Sequence, residues 1–218
     1  MNKQNYETLH QTSDQLYQQW ENHWIDGNKE NLTWVGKLML GAKKRALRDV
    51  LRSIKVSRAI DVGCGLGFTL SVFKELDINA IGIDVSKTTV EICQKKGLKA
   101  VVKKLEEVID KYDLVFSDGL LEHFLNFEPY AQHLTRISNN YIIIIQTDHE
   151  NFLGKTSIYL AEILRGSKNV LEYNYRINDF VSVFKNYGLK LIQTRSIFGG
   201  IFKLLLFEKD KKIDLLKK

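Results

Sequence analysis

The residues of this sequence with the clearest chemical implication are three glycines at alternate positions, Gly63, Gly65 and Gly67. They lie in the stretch DVGCGLGFT, directly after a short apolar run and directly before a segment with helical spacing. Because glycine has no Cβ atom, the backbone can turn sharply at such positions and approach a ligand closely. We therefore expect this loop to bind a ligand, and the spacing of its glycines indicates which kind.

The glycine spacing distinguishes this loop from a dinucleotide-binding loop. A dinucleotide fingerprint follows the pattern G-x-G-x-x-G, whereas Phe68 occupies the sixth position here. The pattern is instead G-x-G-x-G, and Asp61 precedes it. A second acid, Asp84, follows the next apolar run, seventeen positions after Gly67. A carboxylate at that place can accept hydrogen bonds from both hydroxyls of a bound ribose.

These residues need regular elements to hold them, and apolar runs alternate with helical segments along most of the chain. Short apolar runs separated by helices indicate parallel strands that are covered on both faces. We therefore predict a doubly wound α/β sheet. The predicted strands are residues 58–62, 79–83, 100–102, 113–117 and 141–147, followed by a final hairpin about Gly199 and Gly200.

The predicted helices begin and end at recognisable residues. Ser86 is a good N-cap for the helix after the second strand, and that helix should stop near Gly97. Asn178 is the expected N-cap of the last helix. The predicted helices are residues 42–54, 68–76 and 86–97, a helix around 120–137, and 177–188.

Four features in a consistent order resemble class I S-adenosylmethionine-dependent methyltransferases. They are the glycine loop with Asp61, the acid Asp84, the stretch DLVFSDGLLEHF (residues 113–124), and a final strand that runs in reverse. The resemblance covers roughly residues 42–209. It implies a mostly parallel seven-stranded sheet of order 3-2-1-4-5-7-6, with helices on both faces, and S-adenosylmethionine as the cofactor.

The resemblance also implies a domain organisation. Residues 1–41 are rich in aromatic and polar groups, and we expect them to form a helical covering segment. Residues 42–218 would form the catalytic domain. An insert at about 149–176 is long enough to carry its own helix, and such long connections are often functional.

By this resemblance, the cofactor would lie across the ends of the first four strands. The loop backbone would close around its methionine end, with Phe68 and Ser117 at the border. Asp84 would bind the ribose, and Glu106 would meet the adenine amino group beside Leu105 and near Ile83 or Val85. Cys64 is expected to be a small buried filler in the loop. The predicted cofactor set is Asp61, Gly63, Cys64, Gly65, Gly67, Phe68, Asp84, Val85, Leu105, Glu106 and Ser117.

The reaction implied by the resemblance is a displacement at a methyl carbon. The protein would mainly align the acceptor, and an O–H or N–H acceptor would also need a base. The candidates are His123, Asp118 and Glu122, with Asp148 and His149 in the same region of the predicted fold. No metal is predicted, since Gly119 stands where ubiquinone-type O-methyltransferases carry the first acid of their metal-binding E-x-x-E-H motif.

The predicted acceptor is a small organic molecule that is methylated on an O, N or S atom. It would lie under a lid of aromatic side chains, namely Trp20, Trp24, Trp34, Tyr159 and Tyr173. Two alternatives stay open. The net charge of +6 also fits an RNA or protein methyltransferase, and the cofactor motifs also fit a non-catalytic cofactor-binding subunit.

Other sequence features narrow the function class. No Asn/Asp-Pro-Pro-Tyr tetrapeptide follows the fourth strand, which disfavours amino-methylating DNA and glutamine enzymes. Neither Cys64 nor Cys93 stands where a cytosine C5 nucleophile is expected. Two cysteines at unrelated spacing form no disulfide framework or zinc pattern, so reduced thiols are expected. The polar N-terminus is unlike a signal peptide, and the longest aliphatic run, residues 141–145, is too short to cross a bilayer.

From these features we expect a cytoplasmic protein with no membrane partner. A nucleic-acid partner is not favoured, since a sequence does not show whether the basic residues share one face. The identity of the acceptor and the oligomeric state stay open at this point.

Overall fold

A seven-stranded sheet forms the centre of the protein in the computed structural model, which describes residues 13–25, 34–151 and 173–210. The strand order is β3-β2-β1-β4-β5-β7-β6. β7 pairs antiparallel with β5 and β6, while the other pairs are parallel. This confirms the predicted fold class, strand order and reversed last strand. The strands are β1 (Arg58–Val62), β2 (Asn79–Asp84), β3 (Ala100–Val102), β4 (Tyr112–Asp118), β5 (Ser138–Thr147), β6 (Leu189–Ile197) and β7 (Phe202–Lys209).

Helices cover both faces of this sheet. Side chains alternate between the two faces of a strand, so neighbouring isoleucines of β5 join different cores. Ile143 and Ile145 pack with α2, α3 and α4, whereas Ile142 and Ile144 pack with α5 and α6. The helices are α1 (Ser13–Ile25), α2 (Trp34–Leu51), α3 (Leu70–Glu75), α4 (Lys87–Lys95), α5 (Glu128–Ile137) and α6 (Ile177–Asn186). α2 begins before residue 42, so it crosses the predicted boundary between the covering segment and the catalytic domain.

The predicted helix around 120–137 is wrong in its first half. Residues Leu121–His123 form only a short 3₁₀ turn, and α5 starts at Glu128. Pro129 explains the break, because proline has no N–H to donate to the carbonyl four residues earlier. That carbonyl, on Leu125, instead accepts the hydroxyl of Tyr175 at 2.6 Å. The chain between β4 and α5 is therefore not a continuous helix, and Tyr175 holds part of it in place.

The structure confirms one predicted N-cap and corrects another. The Ser86 hydroxyl accepts the Thr89 amide at 3.2 Å and caps α4, as expected. Asn178, in contrast, lies inside α6, whose N-cap is Arg176. The Asp179 carboxylate accepts the Arg176 amide at 2.8 Å. The helix starts earlier than predicted because Asp179, in its first turn, accepts the amide of the N-cap residue Arg176. The N-cap side chain itself makes no capping hydrogen bond.

Candidate functional site

A cavity of about 370 Å³ lies over the carboxyl ends of β1, β2 and β4. Ligands of open α/β sheets bind in this crevice, where the strand order reverses. All three predicted catalytic residues and eight of the predicted cofactor residues line the cavity. They are Asp118, Glu122 and His123, together with Asp61, Gly63, Cys64, Gly65, Phe68, Asp84, Val85 and Leu105.

The glycine loop forms the floor of the cavity in a conformation that side chains disfavour. Gly63, Gly65 and Gly67 have φ angles of 73°, 48° and 72°. A Cβ atom on Gly63 would lie 3.3 Å from Leu120, and one on Gly65 would lie 3.7 Å from the Trp24 ring. These two positions therefore keep open the space above the loop. Gly67 does not line the cavity.

Asp84 ties the end of β2 to the loop. Its carboxylate accepts the Gly65 amide at 2.8 Å and the Ser86 amide at 2.9 Å. Burial raises the pKa of this carboxyl, and the backbone hydrogen bonds oppose that shift. The Val85 amide and the Thr89 side chain also donate to this carboxylate. Asp84 therefore organises both the loop and the start of α4, and it lines the cavity.

Asp61 lies under the loop and is almost completely buried, at 1% exposure. The Thr69 hydroxyl donates a hydrogen bond to its carboxylate. Burial raises the pKa of Asp61 to about 7, the Thr69 bond opposes this, and the nearby Asp118 and Asp84 raise it further. A positive charge in the cavity would favour the ionised form of this carboxyl.

Helix α1 forms the roof of the cavity through three aromatic side chains, Tyr17, Trp20 and Trp24. The two tryptophan rings stack with their centroids 6.3 Å apart. Trp20 also contacts the His123 ring edge-on, at 4.8 Å between centroids. These side chains recur at helical spacing, so one face of α1 covers both the loop and the turn after β4.

Polar contacts on both sides of that aromatic face hold α1 in place. The Tyr17 hydroxyl donates to Glu106 at 3.4 Å, and Glu21 accepts the Thr88 hydroxyl at 2.9 Å. Burial opposes ionisation of Glu21, but hydrogen bonds from Ser86, Thr88 and nearby amides lower its pKa. Those amides belong to the N-terminus of α4, where a carboxylate is favoured.

A lysine and an acid meet at the end of the cavity next to β4. Lys43 of α2 lies 2.7 Å from the Asp118 carboxylate and 4.0 Å from the centroid of the Phe202 ring. Both charged side chains are mostly buried, with exposures of 17% and 22%. The cavity therefore contains a cation and an anion side by side at this end.

Glu122 and His123 lie in the turn after β4, whose Leu120 packs beside Gly63 of the glycine loop. Both are buried, with exposures of 6% and 7%. The Glu122 carboxylate accepts the amide and the hydroxyl of Thr147 at 3.4 and 3.5 Å. The Glu122 carbonyl accepts the Tyr173 amide at 2.7 Å, which fixes the turn itself.

Other residues singled out from the sequence lie away from the cavity wall. Glu106 is exposed in the turn after β3, where it accepts the hydroxyl of Tyr17 from α1. Ser117 is buried, and its hydroxyl donates to the Val62 carbonyl at 3.0 Å. Trp34 is 73% exposed and does not belong to the roof. Asp148, His149 and Tyr173 are also absent from the wall, and Tyr159 lies outside the described residues.

Lys43 and Tyr17 line the cavity but were not predicted as site residues. Each had a signal in the sequence, since Lys43 precedes the buried Leu47 and Val50 by four and seven positions. It therefore shares the inward face of α2. Tyr17 precedes Trp20 and Trp24 by three and seven positions in the same way.

The described residues contain neither a metal-binding cluster nor a membrane-spanning helix. Within residues 13–25, 34–151 and 173–210, no group of three or more His, Cys, Asp or Glu side chains is placed to hold a metal ion. No helix in these ranges combines the length and apolarity needed to span a membrane.

Comparisons with known proteins place a methyltransferase domain over the part of the chain that forms most of the cavity wall. A family model described as a methyltransferase domain matches residues 60–140, which include the loop, Asp84 and the turn after β4. An uncharacterised protein of Methanocaldococcus jannaschii is 27% identical over 168 residues, covering 74% of this chain and 78% of its own. Ajmaline N-methyltransferase of Rauvolfia serpentina is 32% identical over 107 residues, covering 44% of this chain and 37% of that enzyme.

Solved structures share the fold over most of the chain. Magnesium protoporphyrin IX methyltransferase from Synechocystis, with S-adenosylhomocysteine bound, superposes with a TM-score of 0.68 at 17% identity. The match covers 89% of this chain and 94% of that one. A methyltransferase from Thermotoga maritima superposes with a TM-score of 0.70 at 17% identity, covering 89% and 100% of the two chains. At such identities the likeness concerns the fold.

Proposed function

We propose that this chain, which carries a class I S-adenosylmethionine-dependent methyltransferase domain, transfers the methyl group of that cofactor to a small organic acceptor. The family model over residues 60–140 and the strand order of the sheet identify the domain. The acceptor class is our proposal, and it rests on the shape and the lining of the cavity.

The residues of the cavity fit the three parts of S-adenosylmethionine. The glycine loop leaves open the space that Cβ atoms would fill, Asp84 places a carboxylate in the cavity wall at the end of β2, and the end next to β4 holds both charges. When bound, the cofactor supplies an electrophilic methyl carbon on a positively charged sulfur. The protein then has to bind and orient the cofactor and the acceptor, and it has to exclude water.

The adenosyl part would lie at the β2 and β3 side of the cavity. Asp84 would accept hydrogen bonds from the ribose hydroxyls, since its carboxylate lines the cavity at the end of β2. Val85 and Leu105 line the same end and supply apolar surface for the base. Tyr17 closes this end from the roof.

The methionine part would lie at the β4 end, where Lys43 and Asp118 meet. An amino-acid group carries one ammonium and one carboxylate, so it needs an anion and a cation in the protein. Asp118 would accept a hydrogen bond from the ammonium, and Lys43 would donate one to the carboxylate. These bonds would replace the direct 2.7 Å contact between Lys43 and Asp118. This proposal gives Asp118 a binding role where the sequence predicted a catalytic one.

The acceptor would lie beside the turn after β4, next to the contacting rings of His123 and Trp20. His123 lines this part, and imidazole is the side chain best suited to take a proton near neutral pH. We therefore assign the role of base for an O–H or N–H acceptor to His123. Glu122, oriented by Thr147, contributes negative charge to the same wall.

The single observation that carries the small-acceptor proposal is the roof. The cavity measures about 370 Å³, near the lower end of the roughly 300–1,000 Å³ typical of ligand sites. Trp20 and Trp24 cover it, so little space remains beside a bound cofactor. A nucleic acid or a folded protein would reach the reacting carbon only if α1 moved away.

The experiment is a transfer assay with S-adenosylmethionine labelled in its methyl group. The purified chain is incubated separately with a small-molecule extract of cells, with total RNA and with total protein. Label in the small-molecule fraction, strongly reduced for a variant with Asp84 replaced by alanine, supports the proposal. Label in RNA that falls steeply as salt rises, or label in protein, refutes the small acceptor.

A further inference from the structure

The first half of α2 carries large apolar side chains that contact solvent. Trp34 is 73% exposed, Leu38 is 53% exposed and Val35 is 38% exposed. Trp34 and Leu38 are neighbours on the helix surface, because residues four positions apart lie one above the other. Single exposed apolar residues are ordinary, whereas a group of adjacent ones marks a contact surface. We call these three residues the apolar patch of α2.

The apolar patch lies on the side of α2 that faces away from the protein core. The buried residues of this helix are Leu47, Val50 and Leu51, and Lys43 lines the cavity. With about 100° of rotation per residue, Lys43 and Val50 lie roughly opposite Trp34 around the helix axis. The patch therefore does not belong to the cavity, and the proposed function gives it no role.

Basic side chains extend this outward side of α2 toward its C-terminal end. Arg45 follows Trp34 by eleven positions and Leu38 by seven, so the three side chains lie within about 40° of one another around the helix axis. Lys37, in the first half of α2, and Arg52, directly after its last residue, are also exposed. None of these three cations has an acidic partner within residues 13–25, 34–151 and 173–210. The apolar patch and the cations therefore share one surface.

The acidic side chains beside this surface are already paired. Asp49, the single acid of α2, lies 3.2 Å from Arg195 of β6. Glu75 of α3 lies 2.6 Å from Arg48. Each pair is neutral as a whole, so the three cations described above leave this surface with a net positive charge. A partner that complements the surface must combine apolar groups with negative charge.

We propose that the outward side of α2 binds the surface of a membrane that contains anionic phospholipids. Trp34 and Leu38 enter the boundary between the headgroups and the acyl chains, where tryptophan side chains are favoured. Arg45 and Lys37 lie at the level of the phosphates. Attachment of this kind does not require a spanning helix, and it replaces the sequence-based expectation of no membrane partner. The inference concerns this surface alone and does not rest on the proposed function.

Two other partners fit this surface less well. Single-stranded nucleic acid also binds to cations and aromatic side chains, but its bases stack on aromatic faces. Val35 and Leu38 are aliphatic, so two of the three residues of the apolar patch offer no such face. A second copy of this chain, related by a twofold axis, would bring the same cations together. Acyl chains below a layer of phosphates match both parts of the surface.

The test is sedimentation of the full chain with phospholipid vesicles. We expect binding to vesicles of equal parts phosphatidylglycerol and phosphatidylcholine, and binding at least about tenfold weaker to phosphatidylcholine alone. Leu38→Ser should weaken binding to the anionic vesicles about tenfold, and Arg45→Ala should weaken it about fivefold. The matched control is Ile109→Ser, because Ile109 is 85% exposed in the segment before β4 and should not contribute. Since all three side chains are exposed, the variants should unfold like the wild type.

Tryptophan fluorescence then decides which surface meets the lipid. Phospholipids brominated on their acyl chains should quench part of the wild-type emission. A Trp34→Phe variant should bind the vesicles but lose that quenching, since Trp20 and Trp24 lie in the roof of the cavity. 

Several results would overturn the inference. They are no vesicle binding, equal binding to neutral and anionic vesicles, an unquenched Trp34, and an equal loss of binding in Ile109→Ser and Leu38→Ser. Self-association or RNA binding that Leu38→Ser abolishes, in a protein that binds no vesicles, would assign the surface to another partner and overturn it too. Calorimetry with S-adenosylhomocysteine tests the proposed function separately, and Leu38→Ser should bind this ligand like the wild type.

Discussion

Replacing Asp84 with alanine tests the cofactor site most directly. The carboxylate would accept two ribose hydroxyls, and a hydrogen bond to a charged group contributes about 1.5–3 kcal/mol. We use the lower end, about 1.5 kcal/mol per bond, because two backbone amides already share this carboxylate. Two such bonds give about 3 kcal/mol, so affinity for S-adenosylhomocysteine should fall about 150-fold.

Isothermal titration calorimetry with S-adenosylhomocysteine measures this loss. The matched control is Glu91→Ala on α4, because Glu91 is an exposed acid in a surface pair with Lys87 at 3.8 Å. Such pairs contribute little, so the control should bind like the wild type. Thermal unfolding accompanies both titrations, since Asp84→Ala also deprives the Gly65 and Ser86 amides of their acceptor.

One result would refute the reasoning about this site. If the Asp84→Ala protein unfolds cooperatively and binds within about threefold of the wild type, the carboxylate makes no contact with the ligand. The ribose would then lie elsewhere, and the assignments of Val85 and Leu105 to the base would fall with it. A variant that fails to unfold cooperatively is replaced by Asp84→Asn, which keeps one acceptor oxygen and should still lose about tenfold in affinity.

Three further predictions concern single side chains of the cavity. Lys43→Met should weaken S-adenosylhomocysteine binding about tenfold but leave the affinity for its decarboxylated analogue unchanged, and equal losses by calorimetry would remove the carboxylate role. Asp61 has a pKa of about 7 in the folded protein, above its value of about 3.9 when unfolded, so its ionisation should lower stability as pH rises from about 4 to about 7. Denaturant titrations of the cofactor-free protein across this pH range should show that Asp61→Asn removes this fall in the free energy of unfolding. An unchanged pH dependence contradicts the prediction. His123→Asn should lower kcat about 100-fold without changing cofactor affinity, and an unchanged kcat would exclude it as the base.

The sheet could be predicted from the sequence because its signals are local. The central strands are short apolar runs, and a run such as residues 142–145 is buried on both faces in the structure. The family resemblance supplied the strand order, including the reversed β7, and the structure confirms it. The methyltransferase domain and its cofactor were recognised from the loop, Asp84 and the stretch after β4, and the family model covers the same residues.

The errors and omissions depend on contacts between distant parts of the chain. Residues 120–127 have an apolar pattern that suits a helix, but Pro129 and the hydroxyl of Tyr175 determine how their carbonyls are satisfied. Lys43 joins Asp118 across 75 positions of sequence. The inward face of α2 was visible as a pattern, but a pattern does not tell which strand end that face meets. The roles of individual site residues are therefore still predictions.

One helix ties the two halves of the proposed reaction together. Trp24 lies over Gly65 of the cofactor loop, while Trp20 contacts His123 at the acceptor side. Glu21 of the same helix binds Thr88 at the N-terminus of α4, four residues after Asp84 at the end of β2. Because α1 is a continuous helix, it cannot uncover one end of the cavity and keep all its contacts at the other. In the proposed reaction α1 would therefore cover the cofactor and the acceptor together, and any movement of this helix would uncover both ends of the cavity.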